Sequence, residues 1–299
     1  MLQTYNPANQ HIQVFVGDRL YPRQEARVSV FDSSVQGGDA VWEGLRVYNG
    51  RIFSLDKHLE RLELSAFALD FQQIPNQDFI RDAIFATLRA NGMRDSTHIR
   101  LTLTRGEKVT SGMDPRLNTM GCTLIVLAEW KVPVFPPFIR MVTTAIRRNS
   151  PLFLDSKIHH NNLLNNILAK IEANHAGVDE GLMLDQHGFV SEANSVNVFL
   201  VRQGEVQTPF ADNCLPGITR GHVLDICRDL GIPSREKNLS LTEFYHADEV
   251  FCTGTMGELT RVSAIDGRAI RNRSGQPILE ALQAAFRRKT ETEGTSLPF

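Results

Sequence analysis

Apolar and polar residues alternate over 11–16 and again over 41–54, the period of strands with one face against a core. Inside the second run, Asn49-Gly50 separates Val47-Tyr48 from Arg51-Ile52-Phe53, which predicts a two-residue hairpin turn. The period then lengthens. Leu55, Leu59, Leu62 and Ala66 recur every three or four positions and predict a helix over 55–69 with those residues on its buried side. A second helix is predicted from Asp78 to Ala90, closed by Asn91-Gly92, followed by strands over 98–104 and 123–129. Lys131–Phe138 carries three prolines in eight residues. Proline lacks the amide a sheet ladder needs and breaks helices, so this stretch is the expected connection between a smaller α/β domain over 1–130 and a larger one over 139–299.

Beyond the connection, a strand is predicted over 140–144 and a helix over 163–173. Strands within 181–208 turn at His187-Gly188 and near Gly204. Leu215-Pro-Gly-Ile-Thr-Arg220 leads into a helix that ends at Gly231, and Ser240-Leu-Thr-Glu243 is a capping box. A strand over 249–253 stops at Gly254-Thr-Met-Gly257, and the final amphipathic helix runs from Pro277 to Lys289. Strands and helices intermix, so the fold class is α/β or α+β.

Composition narrows the function more than the fold. The chain has 299 residues, enough for about two domains at roughly 150 residues each. Its 32 basic against 34 acidic side chains offer no cationic stripe for nucleic acid. The best apolar run, Cys122 to Ala128, falls well short of the roughly 20 residues of a membrane helix. MLQTYNPANQ does not read as a secretory leader, and the four cysteines form no C-x-x-C pair, so a cytoplasmic protein without a zinc site or disulfide framework is expected.

Two segments can bind an anion. Pro216-Gly217-Ile218-Thr219 feeds a helix whose first amides lack partners, and Gly254-Thr255-Met256-Gly257 is a glycine-rich turn flanked by Thr253. Neither fits a P-loop or a dinucleotide fingerprint. Arg61 on a helix reads first as a solvated arginine, whereas Arg46 and Arg100 lie in apolar strands where an unpaired charge is costly unless alternation puts either one outside. Lys157 precedes His159, His160, Asn161 and Asn162; no acid or cysteine is spaced to complete a metal site with the histidines, so no metal is expected. Glu192 sits between strand-like runs. Taken alone, these residues amount to an anion site, a lysine and a carboxylate.

Read in order, the same residues resemble the fold-type IV pyridoxal-phosphate aminotransferases, and within them the branched-chain group. The resemblance rests on Trp42-Glu-Gly-Leu-Arg46, Leu59-Glu-Arg61-Leu62, Ile99–Gly106, Asp155-Ser-Lys157, Ser191-Glu192 with Asn197-Val-Phe199, Leu215–Arg220 and Gly254-Thr255. It implies a small N-terminal domain, a C-terminal pseudo-barrel and a homodimer or higher homo-oligomer. It implies that Lys157 bonds the aldehyde of pyridoxal 5'-phosphate and later serves as base; such a lysine must spend time unprotonated, so burial and neighbouring cations are expected around it. Glu192 would partner the ring nitrogen. The phosphate would fall to Arg61, the backbone of Ile218 and Thr219, Gly254 and Thr255. Substrate would meet Trp42, Arg46, His98, Arg100, Trp130 in the interdomain connection, and the amides of Thr255 and Met256, with Arg100 receiving the distal carboxylate of 2-oxoglutarate. The implied reaction is ping-pong transfer of the amino group of leucine, isoleucine or valine.

Three tyrosines of the branched-chain pattern are absent. Their places fall on Gly37, His98, and Asn162 or Leu163. Cofactor chemistry does not depend on them, but pocket size and carboxylate contacts do. D-amino-acid transaminases, which Thr104-Arg105-Gly106 also resembles, (R)-amine transaminases and aminodeoxychorismate lyases therefore stand as alternatives. A non-catalytic binder of phosphorylated ligands is the reading from another class; it has no use for Lys157 and Glu192 together.

Overall fold

Asn49 and Gly50 both adopt positive φ, 47° and 73°, in the computed structural model, which describes residues 3–131, 135–271, 275 and 277–299. That turn folds β4 (Arg51–Ile52) back on β3 (Ala40–Tyr48), with Val47 opposite Ile52. Ahead of them lie β1 (Gln13–Val16), β2 (Arg19–Pro22) and the short α1 (Ser33–Gly37), whose first turn is capped by Asp32. After them come α2 (Leu55–Ala68), α3 (Gln77–Ala90), β5 (Thr97–Thr104) and β6 (Thr123–Trp130). The strands form one antiparallel sheet in the order β4-β3-β5-β6-β1-β2. Alternation in β3 and β5 sends Val41, Leu45, Val47, Ile99, Leu101 and Leu103 to one face, where α2 and α3 cover them. Leu55, Leu59, Leu62 and Ala66 are buried against that face, as the helical spacing predicts. Each such leucine contributes roughly 1.5–3 kcal/mol by leaving water.

The second sheet is built from β7 (Phe138–Arg147), β8 (Glu180–Leu184), β9 (Val190–Ala193), β10 (Asn197–Arg202), β11 (Glu205–Thr208), β12 (Ser234–Glu236), β13 (Glu249–Gly254), β14 (Glu258–Ile265) and β15 (Arg268–Ala269). Interleaved are α4 (Leu164–His175), α5 (Ile218–Asp229), α6 (Leu241–Tyr245) and α7 (Ile278–Thr292). The strand path is β12-β11-β10-β13-β14-β7-β8-β9, with β15 on β14. β14 pairs in parallel with β7, and β7 with β8. Its core gathers Ile139, Met141, Leu182, Val198, Leu200, Phe244, Val250 and Val262. The Ser240 capping box forms, with the Glu243 carboxylate accepting from the Ser240 amide at 2.8 Å. The sequence pattern misses β14, because a bulge between Val262 and Ala264 interrupts its alternation.

The chain clusters into two compact units: Leu2–Val132, Ile158–Asn162 and Thr290–Phe299 form one, Pro133–Lys157 and Leu163–Lys289 the other. A cut at the proline-rich stretch therefore separates most of the chain but not all of it. Residues 158–162 run along β3, where His160 bridges Val41 and the Asn161 amide donates to Ala40 O at 2.7 Å. The C-terminal β16 (Thr295–Ser296) pairs with the edge of β4. Of the expected connection, residues 132–134 lie outside the described residues.

Candidate active site

In the N-terminal unit, β3 places an acid where its alternation calls for an apolar residue. Glu43 shares the core-facing parity of Val41, Leu45 and Val47 and is fully buried. A carboxylate there needs buried donors. The helix supplies them three residues apart: the Arg61 Nε and Nη2 donate to the two oxygens at 2.7 Å each, and His58 Nδ1 lies 2.6 Å from Oε2. His159, in the strand-like 158–162 segment, adds its Nδ1 at 3.1 Å from Oε1. Burial pushes the Glu43 carboxyl up, but the contacts from His159 and Arg61 outweigh it and hold the group well below its ordinary range. Burial also lowers His159 to about 4 against the opposing pull of Glu43, so its ring is neutral near pH 7. Arg61 is thereby held as a two-toothed partner of Glu43.

The opposite face of the same strands carries Trp42 and Arg46 from β3 and His98 and Arg100 from β5, with Arg46 directly across from His98 and Gly44 across from Arg100. The Arg100 guanidinium lies over the Trp42 ring, 3.4 Å from its centroid, and donates through Nη2 to Asn161 Oδ1 at 2.7 Å. The Trp42 indole N–H donates to His160 O at 3.1 Å, and the ring packs on His159 with centroids 4.1 Å apart. Burial, then the charges of Lys131, Arg100 and Arg46, lower His98 to about 3. This face is a desolvated cationic surface with a neutral imidazole in it. Trp130 does not join it. It is the last residue of β6, pairs with Thr97 and shares the parity of Ala128 and Val126, which points it to the helix-covered side; neighbouring Asn9 binds its backbone. The expectation that it lines the Trp42–Arg100 face from the connection is corrected accordingly.

In the C-terminal unit, Lys157 occupies a turn in which Asp155 Oδ1 accepts its amide at 2.9 Å and Ser156 Oγ donates to Asn149 O at 2.7 Å. The turn is pinned by its buried serine, so the lysine beside it is exposed, contrary to the expected burial. Next to Asn149, the buried Arg148 donates from Nε to Glu192 Oε1 at 2.6 Å. Asn197 Nδ2 donates both to Glu192 Oε2 and to Leu215 O, at 2.9 Å each. Burial raises the Glu192 carboxyl against the pull of Arg148.

These bonds draw the two anion-binding segments together. Leu215 opens the first, and its amide also reaches Glu192 Oε1 at 3.4 Å. Gly217 follows; a Cβ there would stand 2.1 Å from Asn197 Oδ1, so only glycine fits the close approach. Gly217 is the N-cap of α5, which has no side-chain cap and no acid in its first turn, leaving the amides of Ile218 and Thr219 available to an anion. The second segment begins where β13 places Thr253 directly across from Asn197. Thr253 Oγ1 and Arg148 Nη1 are buried without a hydrogen-bond partner, and the turn through Gly254, Thr255 and Met256 is half-buried. An acidic acceptor, two orphaned donors and a helix start thus share one edge of this unit.

Sequence reasoning passed over Arg148, His58 and Asn161, weighed His159 only as a metal ligand, and quoted Glu43 without a role. Glu43 had a signal: an acid on the apolar parity of a strand demands a buried cation. Asn161 had none, because its partner is 61 positions away in sequence. Among the described residues no group of three metal-ligating side chains is arranged to hold an ion, and no helix is long and apolar enough to cross a membrane.

Residues 40–265 match the family model described as amino-transferase class IV. The chain is 56% identical, over 98% of its length, to the branched-chain-amino-acid aminotransferase-like protein 2 of Arabidopsis thaliana, of which it covers 53%. The chain thus spans about half the length of the Arabidopsis relatives it matches. It is 37% identical to a putative branched-chain-amino-acid aminotransferase of Methanocaldococcus jannaschii, covering 92% of this chain and 96% of that one. Among solved structures, it is similar to a T.th. branched-chain amino acid aminotransferase complexed with N-(5'-phosphopyridoxyl)-L-glutamate, with a TM-score of 0.86, 31% identity and coverage of 94% of this chain and 95% of that one.

Proposed function

The chain belongs to the class IV aminotransferases and has their fold-type IV architecture, and from that premise we propose that it uses pyridoxal 5'-phosphate to move the amino group of leucine, isoleucine or valine to 2-oxoglutarate. The observation that carries the reading is the edge at Asn197, where a buried carboxylate and two anion-binding turns meet. Its donor set suits a phosphorylated pyridinium: amides at a helix start and a threonine turn for the phosphate, and Glu192 for a ring N–H. When bound, the cofactor supplies an aldehyde that accepts amino groups and a protonated ring that stores an electron pair.

The chain's own residues do the rest. Lys157 would hold the cofactor's aldehyde carbon and serve as the base for the proton at the substrate Cα. Its side chain is exposed. Glu192, paired with Arg148, would accept the ring N–H. The amides of Ile218 and Thr219, with Gly254 and Thr255, would hold the phosphate; in the N-terminal unit the orientation of Arg61 is fixed by Glu43. The amides of Thr255 and Met256 would receive the substrate's α-carboxylate, and the sheet face of Trp42, Arg46, His98 and Arg100 in the N-terminal unit is the one suited to a substrate side chain.

The same reading takes the enzyme to be a cytoplasmic homodimer. In its support, Leu164, Ile167, Leu168 and Ile171 form an exposed apolar stripe along α4, and the four cysteines are free thiols, as a reducing compartment keeps them.

The test is a donor panel of L-leucine, D-alanine, an (R)-aryl amine and aminodeoxychorismate, with 2-oxoglutarate or pyruvate as acceptor. L-leucine with 2-oxoglutarate is expected to react, and borohydride is expected to trap the cofactor on Lys157. Turnover of D-alanine in place of L-leucine overturns the substrate; an undiminished trapped adduct in Lys157→Ala overturns the mechanism.

A further inference from the structure

Arg100 is a half-buried cation whose pKa burial lowers to about 10 against the weaker opposing pull of the Glu43 charge on the other face of the sheet. Such a group normally recruits a carboxylate. Here no carboxylate lies within ion-pair distance of it among the described residues. Its two partners are both neutral: the Trp42 ring below the guanidinium at 3.4 Å and the Asn161 carboxamide oxygen at 2.7 Å. Both orient the charge and neither cancels it. Asn161 is itself fixed. Its amide donates to Ala40 O at 2.7 Å, and along the same edge of β3 the 158–162 segment receives the Trp42 amide at His159 O, 2.9 Å, while His160 O accepts from the Trp42 indole at 3.1 Å.

We infer that Asn161 is a specificity-determining residue: as the neutral partner of Arg100 it pins the guanidinium flat on Trp42 while leaving a full positive charge for the side-chain carboxylate of a dicarboxylic 2-oxo acid. That a distal carboxylate meets Arg100 belongs to the functional reading above; the role of Asn161 does not, and it rests on that reading only for the identity of the reacting substrates. The arrangement also answers the problem of one pocket serving two substrates. With no anion bound, the guanidinium keeps its hydrogen bond and its aromatic contact, so an apolar side chain can enter without stranding a buried charge. An aspartate at this place would hold Arg100 in an ion pair and remove the charge from use. The residue stands four positions after Lys157.

The experiment compares Asn161→Asp and Asn161→Ala with the unmodified holoenzyme. N161D is isosteric and is expected to raise the KM for 2-oxoglutarate about tenfold relative to the KM for 4-methyl-2-oxopentanoate, a loss of about 1.4 kcal/mol. N161A removes the pinning hydrogen bond but adds no negative charge, so its KM ratio is expected to rise by less than that of N161D, about threefold. A role confined to packing would move both variants alike, and that result, or an unchanged ratio in N161D, overturns the inference. Equilibrium binding gives a readout without turnover. Glutarate is expected to bind the parent and N161A more tightly than 4-methylpentanoate, and N161D is expected to lose that preference. If the donor panel shows no transamination, the functional reading fails while the glutarate measurement still decides the role of Asn161; a parent with no preference for glutarate overturns it.

Discussion

Replacing Glu43 by glutamine isolates the electrostatics at the centre of the N-terminal unit. The two side chains are nearly the same shape, so the change removes charge rather than volume. The carboxylate has no solvent exposure and meets Arg61 at two points 2.7 Å long, with His58 at 2.6 Å and His159 at 3.1 Å. A carboxamide offers one acceptor oxygen and turns its NH2 toward groups that are themselves donors. One charged hydrogen bond is lost outright and another weakened, each worth about 1.5–3 kcal/mol, and Arg61 is left largely buried beside a neutral group. Breaking one side of a buried pair costs about 3–5 kcal/mol. We expect E43Q to lose at least about 3 kcal/mol, a fall of roughly 10 °C in Tm for a chain of this size, measured by urea and thermal melts followed by circular dichroism at pH 7. Glu43→Leu combined with Arg61→Met removes both charges and is expected to recover more than half of that loss. A single variant within 1 kcal/mol of the parent, or a double variant no more stable than the single, would refute the account of Glu43 as the partner that makes a buried Arg61 tolerable.

Acid should weaken the unit through its buried imidazoles: His159 at about 4 and His98 at about 3 stay neutral when folded but take protons when unfolded, so stability is full above the unfolded value of 6.5 and falls by up to about 1.4 kcal/mol per pH unit for each as pH drops toward those values. Urea midpoints between pH 7 and 4.5 check this, and His159→Gln should flatten the slope. Gly217→Ala puts a Cβ 2.1 Å from Asn197 Oδ1 and must displace the side chain that ties Leu215 to Glu192. Pyridoxal-phosphate Kd is expected to rise at least tenfold in an absorbance titration, and a change below twofold would count against the Asn197 edge as the phosphate site. Ile167→Glu with Leu168→Glu charges the exposed stripe of α4; light scattering is expected to show dimers for the parent and monomers for the variant, and a dimeric variant would move the proposed interface elsewhere.

The elements with undisturbed periodicity were legible from the residues alone. Leu55–Ala68 follows the 3.6 period without interruption, and Asn49-Gly50 admits little but a hairpin. β14 was not, because its bulge breaks the alternation. β16 was not, because two residues have no period; Gly294 and Leu297 beside it make sense only against Ile52 and Gly50. The candidate site divides in the same way. Glycines that feed a helix, and hydroxyls beside a turn, advertise anion binding locally. Pairings such as Arg148 with Glu192, or Arg100 with Asn161, span 44 and 61 positions and exist only once the sheets have formed.

Two buried carboxylates, each tied to an arginine, end in opposite electrostatic states, and the difference separates a structural acid from a functional one. Glu43 has donors on all sides: the Arg61 fork occupies both oxygens and an imidazole adds to each. A carboxylate has about four lone-pair positions, so this one is saturated, and its charge is held down well below the ordinary range. Glu192 receives Arg148 through Nε at 2.6 Å, a long 3.4 Å contact from the Leu215 amide on the same oxygen, and on the other oxygen Asn197 at 2.9 Å. Burial outweighs these donors and pushes it up. An acid in that state gains most from one more cationic N–H donor, since a protonated ring nitrogen both fills the remaining lone pair and offsets the burial. Glu43 has nothing comparable to gain. Saturation, rather than burial or the presence of an arginine, is therefore what makes Glu192 the better of the two carboxylates for the proposed ring-facing role and leaves Glu43 as the brace of Arg61.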